Sequence, residues 1–223
     1  TALVAAIDGI SRWFSVPGRP AVSVTVERDP GRPDEATVVV QRTDAAASAT
    51  DADRLVAVPL VVAARTRSGA LATEHVIVLE GASRRLHLAG AGAASAVVAP
   101  LRRYSAPVDL VVDTSDDHLG ALVVHDDDPF TRWWSTEALM IRFIDAYRAG
   151  RETDAGTTMS ILAAALSSAA AAERDPLLLA QMLSLPDEFM LGDREARIDV
   201  DGVSRGLAEL AVRLGAELRD VLL

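Results

Sequence analysis

The stretch Val22-Ser23-Val24-Thr25-Val26-Glu27 alternates apolar and polar residues without a break. Successive side chains of a β-strand point to opposite faces, so this pattern places the three valines on one face of a half-buried strand. The sequence Asp-Pro-Gly-Arg-Pro-Asp follows at 29–34 and has the chemistry of a tight turn. The fold therefore begins with a strand that ends in a turn.

The same pattern continues to about residue 113. Six further runs have strand character, at 36–41, 55–63, 74–80, 84–88, 96–104 and 108–113. We interpret Ala45–Ala49 as a loop and Ser68-Gly69 as a tight turn, and Pro59 suggests an edge strand or a bulge. Seven short strands without an intervening helical period predict an immunoglobulin-like antiparallel β-sandwich.

The period changes after Ser115. Asp128-Pro129 and Asp175-Pro176 each have the signature of a helix start, with Asp as the N-cap and Pro at the first helical position. Apolar residues then recur at helical spacing in three segments: Trp133, Met140, Phe143, Ile144 and Tyr147; Met159, Leu162, Leu166 and Ala170; Val203, Leu207, Leu210, Leu214 and Leu218. We expect four helices in an all-α array.

These patterns divide the chain into a short N-terminal linker or tail of a preceding domain (1–19), a β-sandwich (20–114) and a helical domain (115–223). The polar, acidic segment 115–128 is expected to connect the last two. Trp133 and Trp134 point about 100° apart on a helix, so we expect one ring in the helical core and the other against the sandwich. This would make the two regions one rigid unit.

Composition excludes several classes of protein. Among 223 residues there is no Lys and no Cys, which excludes a Walker A loop, Schiff-base chemistry, thiol catalysis and Cys-ligated zinc. A formal net charge of −10, with Arg residues scattered among carboxylates, argues against a nucleic-acid partner. There is no apolar run of about eighteen residues and no basic segment before Asp8, so we expect no membrane partner, no signal peptide and a cytoplasmic location.

The histidines do not form a metal or catalytic motif. His75, His87, His118 and His125 occur in no H-E-x-x-H pattern and at no i,i+4 spacing. We expect His75 and His87 on the polar face of their strands. Ser105 or Ser115 near His118 lacks the context of a nucleophile elbow, and 104–107 is better explained as an extended segment before Pro107.

Two other patterns are superficially suggestive. The acidic residues at 116–117, 126–128 and 199–201 lack the spacing of a calcium loop, and we expect them to be solvated loop residues and helix caps. The Gly90-Ala91-Gly92 segment lacks the helix that a dinucleotide loop requires, so we expect a flexible loop between strands. We therefore predict no catalytic, cofactor-binding or metal-binding residue in this chain.

Four short runs occur in a fixed order. They are Arg12-Trp13-Phe14-Ser15 with Pro17-Gly18-Arg19-Pro20, then Tyr104-Ser105-Ala106-Pro107-Val108, then Asp128, Phe130, Arg132 and Trp133, and finally Leu183-Ser184-Leu185-Pro186. In this order they resemble the R-W-[YF]-S…G-x-P, F-S-A-P-V, D-x-F-x-R-W and L-T-L-P segments in the C-terminal portion of bacterial aminopeptidase N. The chain departs from that family at Val16-Pro17 and at Trp134.

The resemblance implies a parent protein with a function of its own. The family consists of zinc metallopeptidases that remove N-terminal residues from peptides, with a thermolysin-like catalytic domain followed by a β-sandwich and a helical domain. No position here matches the family's H-E-x-x-H, its later zinc-binding Glu or its G-[AG]-M-E-N segment. The resemblance therefore implies zinc in the parent's catalytic domain and none in this chain. It implies two partners, the catalytic domain of the same parent chain and the parent's peptide substrates.

Two functions of different classes follow. The first is a non-catalytic part of an aminopeptidase N, in which a β-sandwich spacer and the first helices of a superhelical domain position a helical cap over the active site. The alternative is a free-standing protein-interaction module that uses a sandwich edge or a helical face. An independent hydrolase is a weak third hypothesis, because the sequence shows no nucleophile–base pair.

Overall fold

The computed structural model describes residues 13–14, 18–44, 56–66, 70–90, 92–194 and 197–222. The chain separates into two compact units, Thr1–Thr114 and Ser115–Leu223. The predicted loop at Ala45–Ala49 and turn at Ser68-Gly69 lie outside the described residues, as does most of 1–17.

The described residues of the first unit form two sheets. In chain order the strands are β1 (Ala21–Arg28), β2 (Glu35–Arg42), β3 (Val58–Arg65), β4 (Leu71–Leu79), β5 (Ser83–Ala89), β6 (Val97–Ala99) and β7 (Asp109–Val112). One sheet has the order β5-β2-β1-β7 and the other β4-β3-β6. The predicted class, a sandwich followed by helices, is confirmed, although β1 and β7 pair in parallel while the other pairs are antiparallel.

Alternation along the strands builds the core of this unit. Val24 pairs with Val40 across β1 and β2, and both are fully buried. In the other sheet, Leu60 pairs with Ile77, and these side chains are 0% and 5% exposed. The residues between them face outward, as the period of two requires.

The predicted strand at 96–104 is wrong beyond Ala99. β6 ends there, and a 3₁₀ turn follows at Arg102–Tyr104, with left-handed backbone at Leu101 (φ 58°), Arg103 (φ 57°) and Tyr104 (φ 48°). Left-handed backbone cannot continue a strand, and beyond this turn the Ser105 hydroxyl takes the place of a backbone acceptor beside β3. It accepts a hydrogen bond of 2.9 Å from the Val61 N–H.

The second unit is helical. Seven helices occur in its described residues: α1 (Asp116–His125), α2 (Pro129–Arg148), α3 (Glu152–Ala172), α4 (Pro176–Met182), α5 (Glu188–Asp193), α6 (Val200–Glu217) and α7 (Arg219–Leu222). The sequence patterns predict four helices, with residues 115–128 as a connecting segment. That segment is mostly α1, capped by Ser115, whose side chain accepts from the His118 N–H.

The helices enclose a continuous apolar core. Its fully buried members include Leu119, Leu139, Phe143, Leu162 and Leu210. Trp133 and Trp134 are both half-buried, and both pack against this helical core. The expectation that one ring also lies against the sandwich stays a prediction.

Helix α3 is central to that core. It is long and apolar enough, with a mean hydropathy of 1.3, to satisfy a length-and-composition test for crossing a membrane. The core helix of a soluble protein satisfies the same test, and Leu162 and Leu166 of α3 are 0% and 1% exposed in the helical core. Packing inside the unit accounts for the apolar character of this helix.

Candidate functional site

Two histidines line one cleft in the first unit. The cleft has a volume of about 370 Å³. His75 lies on the inward-facing side of β4, with Ile77 and Leu79, so its predicted position on the polar face is wrong. His87 alternates with inward-facing Leu88 and is exposed, as predicted.

The lining of the cleft combines an apolar floor with a polar rim. Ala64, Leu88 and Ala96 are buried, and Arg65, which is 4% exposed, lies beside them. At the rim, Thr73 Oγ1 lies 2.7 Å from His75 Nε2, and the two residues are neighbours on one face of β4. No sequence motif indicates this hydroxyl–imidazole pair, because i,i+2 neighbours along a strand have no signature of their own.

This pair lacks the remaining parts of a hydrolytic site. A nucleophile–histidine pair requires a third group that orients the imidazole, and donors that stabilise an oxyanion. Among the described residues, the structure shows no hydrogen bond from the second ring nitrogen of His75. The pair is explained by the period of the strand, which places residues 73 and 75 side by side.

The residues present do not fit a zinc site. Zinc requires three or four converging His, Cys, Asp or Glu ligands. No group of three such residues that could hold a metal occurs in the described ranges. Zinc chemistry, where the resemblance implies it, would have to come from residues outside this set.

The acidic clusters act as caps and ion-pair partners. Asp128 Oδ2 accepts from the Thr131 N–H at 3.1 Å, and Asp126 Oδ1 accepts from the Asp128 N–H at 2.8 Å. Asp116 pairs with Arg142 at 2.7 Å and accepts from the Thr158 hydroxyl. Asp199 accepts from the Gly202 N–H at 3.0 Å at the start of α6. These contacts confirm helix capping for Asp128 and Asp199.

The D-x-F-x-R-W run is a structural device of the helical unit. Asp128 starts α2, and the rings of Phe130 and Trp133 are 5.6 Å apart. The Arg132 guanidinium donates from Nε to the Val123 carbonyl of α1 at 3.0 Å and pairs with Glu173 at the end of α3. The hydrogen bond from the Asp175 N–H, and then the Arg132 guanidinium, hold the pKa of Glu173 below its usual range.

Arg102 and Arg103, directly before the Tyr104–Val108 run, join parts of the sandwich. Arg102 is 3% exposed and pairs with Glu74 of β4 at 2.9 Å, and Arg103 pairs with the other oxygen of the same carboxylate at 2.5 Å. Two guanidinium groups on one carboxylate fix the left-handed turn against β4. Within the run itself, Ser105 accepts from the Val61 N–H of β3, so this motif residue too has a structural contact.

The other two runs are also structural where they are described. In the first, Arg19 pairs with Asp109 at 2.8 Å, and the Pro20 carbonyl accepts from the Asp109 N–H at 2.9 Å, which fixes the entry to β1 beside β7. In the fourth, Leu183 ends α4 and Pro186 is buried just before the Asp187 cap of α5.

Comparisons with known proteins agree with this arrangement. Residues 116–223 match a family model described as "Domain of unknown function (DUF3458_C) ARM repeats". Over 96% of its length the chain superimposes on aminopeptidase A of Legionella pneumophila, solved in complex with aspartic acid, with a TM-score of 0.76 and 18% sequence identity. The chain spans 24% of that protein. A search of curated protein sequences found no match. The fold is thereby confirmed to resemble part of an aminopeptidase.

Proposed function

We propose that this chain is a non-catalytic portion of a zinc-dependent aminopeptidase, in which the β-sandwich is a spacer that positions a helical cap over the active site. The observation that carries the proposal is the use of the family-like residues. Asp128 caps a helix, and Arg132 and Ser105 make contacts that hold helices or strands together. A spacer requires such contacts and no reacting groups.

The fold and the length support the same function. The chain shares its fold with an aminopeptidase over 96% of its own length, and this match spans 24% of that protein. A part of such an enzyme would give this result. On this proposal, the parent's catalytic domain supplies zinc, the general base and the recognition of peptide N-termini. The chain's partner is that domain.

The first test concerns chemistry. The isolated chain is expected to hydrolyse no aminoacyl-anilide substrate and to contain no stoichiometric zinc by mass spectrometry. Metal-dependent turnover, or one zinc that stays bound through dialysis, would overturn the proposal. The Thr73→Val variant tests the alternative that Thr73 and His75 form a hydrolytic dyad. Any activity that comes from such a dyad would be lost when the Thr73 hydroxyl is removed.

The second test concerns the spacer. The coding sequence should continue upstream into an H-E-x-x-H segment. In the longer protein, Arg132→Ala should lower kcat/KM by disturbing the cap while the zinc content stays unchanged. An upstream sequence without H-E-x-x-H would instead support the alternative, a free-standing interaction module.

A further inference from the structure

The two sheets present four edges, and three of them are poor templates for further pairing. β6 and β7 are only three and four residues long. β5 carries the exposed side chains of Arg84 and Arg85. Short strands and charged side chains are common ways in which proteins block a sheet edge. β4 is the exception, since it is nine residues long and pairs, among the described residues, with β3 alone.

The pairing with β3 shows which backbone groups of β4 face the open edge. Val61 lies opposite Val76, and Pro59 lies opposite Val78. The Val61 N–H points away from β4, because it donates to Ser105 Oγ. Val61–Val76 is therefore a pair without mutual hydrogen bonds, and so is Pro59–Val78, two residues along. The N–H and C=O groups of Val76 and Val78 consequently point outward.

The side chains beside this edge are apolar. Val76 is 67% exposed and Val78 42% exposed, while Ile77 between them is buried. Pro59 and Val61 extend the same surface across β3. By contrast, the outer face of β1 presents Ser23, Thr25 and Glu27, the polar pattern expected of a solvated sheet face.

One carboxylate lies at the C-terminal end of the apolar strip, at Glu80, and the opposite end holds Glu74, which pairs with Arg102 and Arg103. Glu80 follows Val78 by two residues, so it continues the outer face. Its carboxylate is exposed and forms no ion pair with another residue of the described ranges. A segment seated on the strip would bring a side chain next to this carboxylate, and a basic one complements it.

We propose that the free edge of β4 binds an extended segment of a partner polypeptide as an added antiparallel strand. Backbone pairing with Val76 and Val78 gives affinity, and alternate apolar side chains of the segment cover the two valines. A basic residue at the N-terminal end of the segment lies beside Glu80. The occupant is extended because a helix has no free mid-helix backbone groups to pair with an edge. The inference is independent of the proposed function.

The test uses the full chain and a fluorescein-labelled peptide, Arg-Thr-Val-Thr-Val-Thr, in an anisotropy titration. Binding is expected, and a peptide with Glu in place of Arg should bind more weakly. Val78→Pro should weaken binding about tenfold or more, since it removes only the outward N–H and keeps the ladder to β3. Val78→Thr, which keeps the N–H, is the matched control and should bind within roughly threefold of the parent chain. Circular dichroism verifies that both variants fold.

Should Val78→Pro fail to fold, Val76→Lys keeps the N–H and replaces an apolar side chain that a peptide valine covers with a charged one, so it should also weaken binding about tenfold or more. Absence of binding at about 1 mM peptide would overturn the proposal. So would equal affinity for the two Val78 variants, or amides of Val76 and Val78 that are already protected from hydrogen exchange in the free chain. If the chain self-associates in sedimentation experiments and Val78→Pro abolishes this, the strand that pairs with β4 belongs to a second copy of this chain and not to a different partner.

Discussion

The guanidinium of Arg132 in α2 pairs with the carboxylate of Glu173, the residue that ends α3. Both side chains are 12% exposed. Arg132 also donates to the Val123 carbonyl of α1, and Glu173 accepts from the Arg174 and Asp175 N–H groups at 2.7 and 2.8 Å before α4 begins. One largely buried ion pair thus connects four helices, α1 to α4.

Arg132→Ala should destabilise the helical unit by about 2–3 kcal/mol. Removing one partner of a largely buried pair leaves the other charge uncompensated, and it also leaves the Val123 carbonyl without its donor. Urea unfolding followed by tryptophan fluorescence measures the loss. Arg151→Ala removes an exposed pair with Asp154, and as the control it should cost less than about 0.5 kcal/mol. Equal effects of the two substitutions would contradict the structural role of Arg132.

The pair also predicts an acid-sensitive contribution to stability. The folded state lowers the pKa of Glu173, so its contribution is fully present above the ordinary glutamate pKa. That contribution is lost as the pH falls through the lowered folded-state pKa. Unfolding free energy measured between about pH 6 and 3 should therefore fall less steeply in Glu173→Gln than in the parent chain. Parallel pH profiles would show that the folded state does not perturb this carboxyl.

Glu137 should show the opposite dependence on pH. This residue of α2 is half-buried, and burial raises the pKa of its carboxyl. A raised folded-state pKa means that stability is greatest at low pH and is lost as the pH rises, because ionisation must then occur in a poorly solvated place. Glu137→Gln should therefore raise Tm near neutral pH and leave it almost unchanged in acid. A lower Tm at neutral pH would mean that the ionised carboxylate has a stabilising partner.

Sequence patterns located the strands and the long helices because burial imposes a period. The alternation of Val22 and Val24, and the helical stripe from Val203 to Leu218, both describe buried faces. The left-handed turn at Leu101–Tyr104 had no such signal. Positive φ is most common in glycine, and here side-chain contacts of Arg102, Arg103 and Ser105 hold non-glycine residues in that turn.

Helix α1 and the cleft beside β4 had no clear signal in the sequence. Asp116 and Asp117 gave α1 the composition of a loop, although acidic residues also favour the first turn of a helix. The cleft lined by His75 and His87 depends on which face of β4 points inward. That choice is made by the pairing of β3 with β4, which a single sequence does not specify.

The two Asp-Pro helix starts show how burial changes the contribution of an N-cap to stability. Asp128 is 5% exposed and accepts from both the N–H and the hydroxyl of Thr131, whereas Asp175 is exposed and accepts from the Leu177 N–H. Asp128→Ala should cost about 2 kcal/mol and Asp175→Ala about 0.5–1 kcal/mol. Urea melts of both variants test the difference. A larger loss for Asp175→Ala would mean that cap strength at these sites is not set by burial.

Glycines of α6 provide a test of helix packing within a single helix. A Cβ atom added at Gly206 would lie 2.8 Å from Ile144 Cγ2, so α6 approaches α2 too closely there for any side chain. Gly206→Ala should cost about 1–3 kcal/mol, because the branched Ile144 side chain must shift inside a packed core. At Gly215 of the same helix, an added Cβ meets nothing within 4 Å. Gly215→Ala should instead stabilise the chain by about 0.5–1 kcal/mol through helix propensity. Thermal and urea unfolding of the two variants should thus shift in opposite directions, and stabilisation by Gly206→Ala would show that α6 does not cross α2 at this residue.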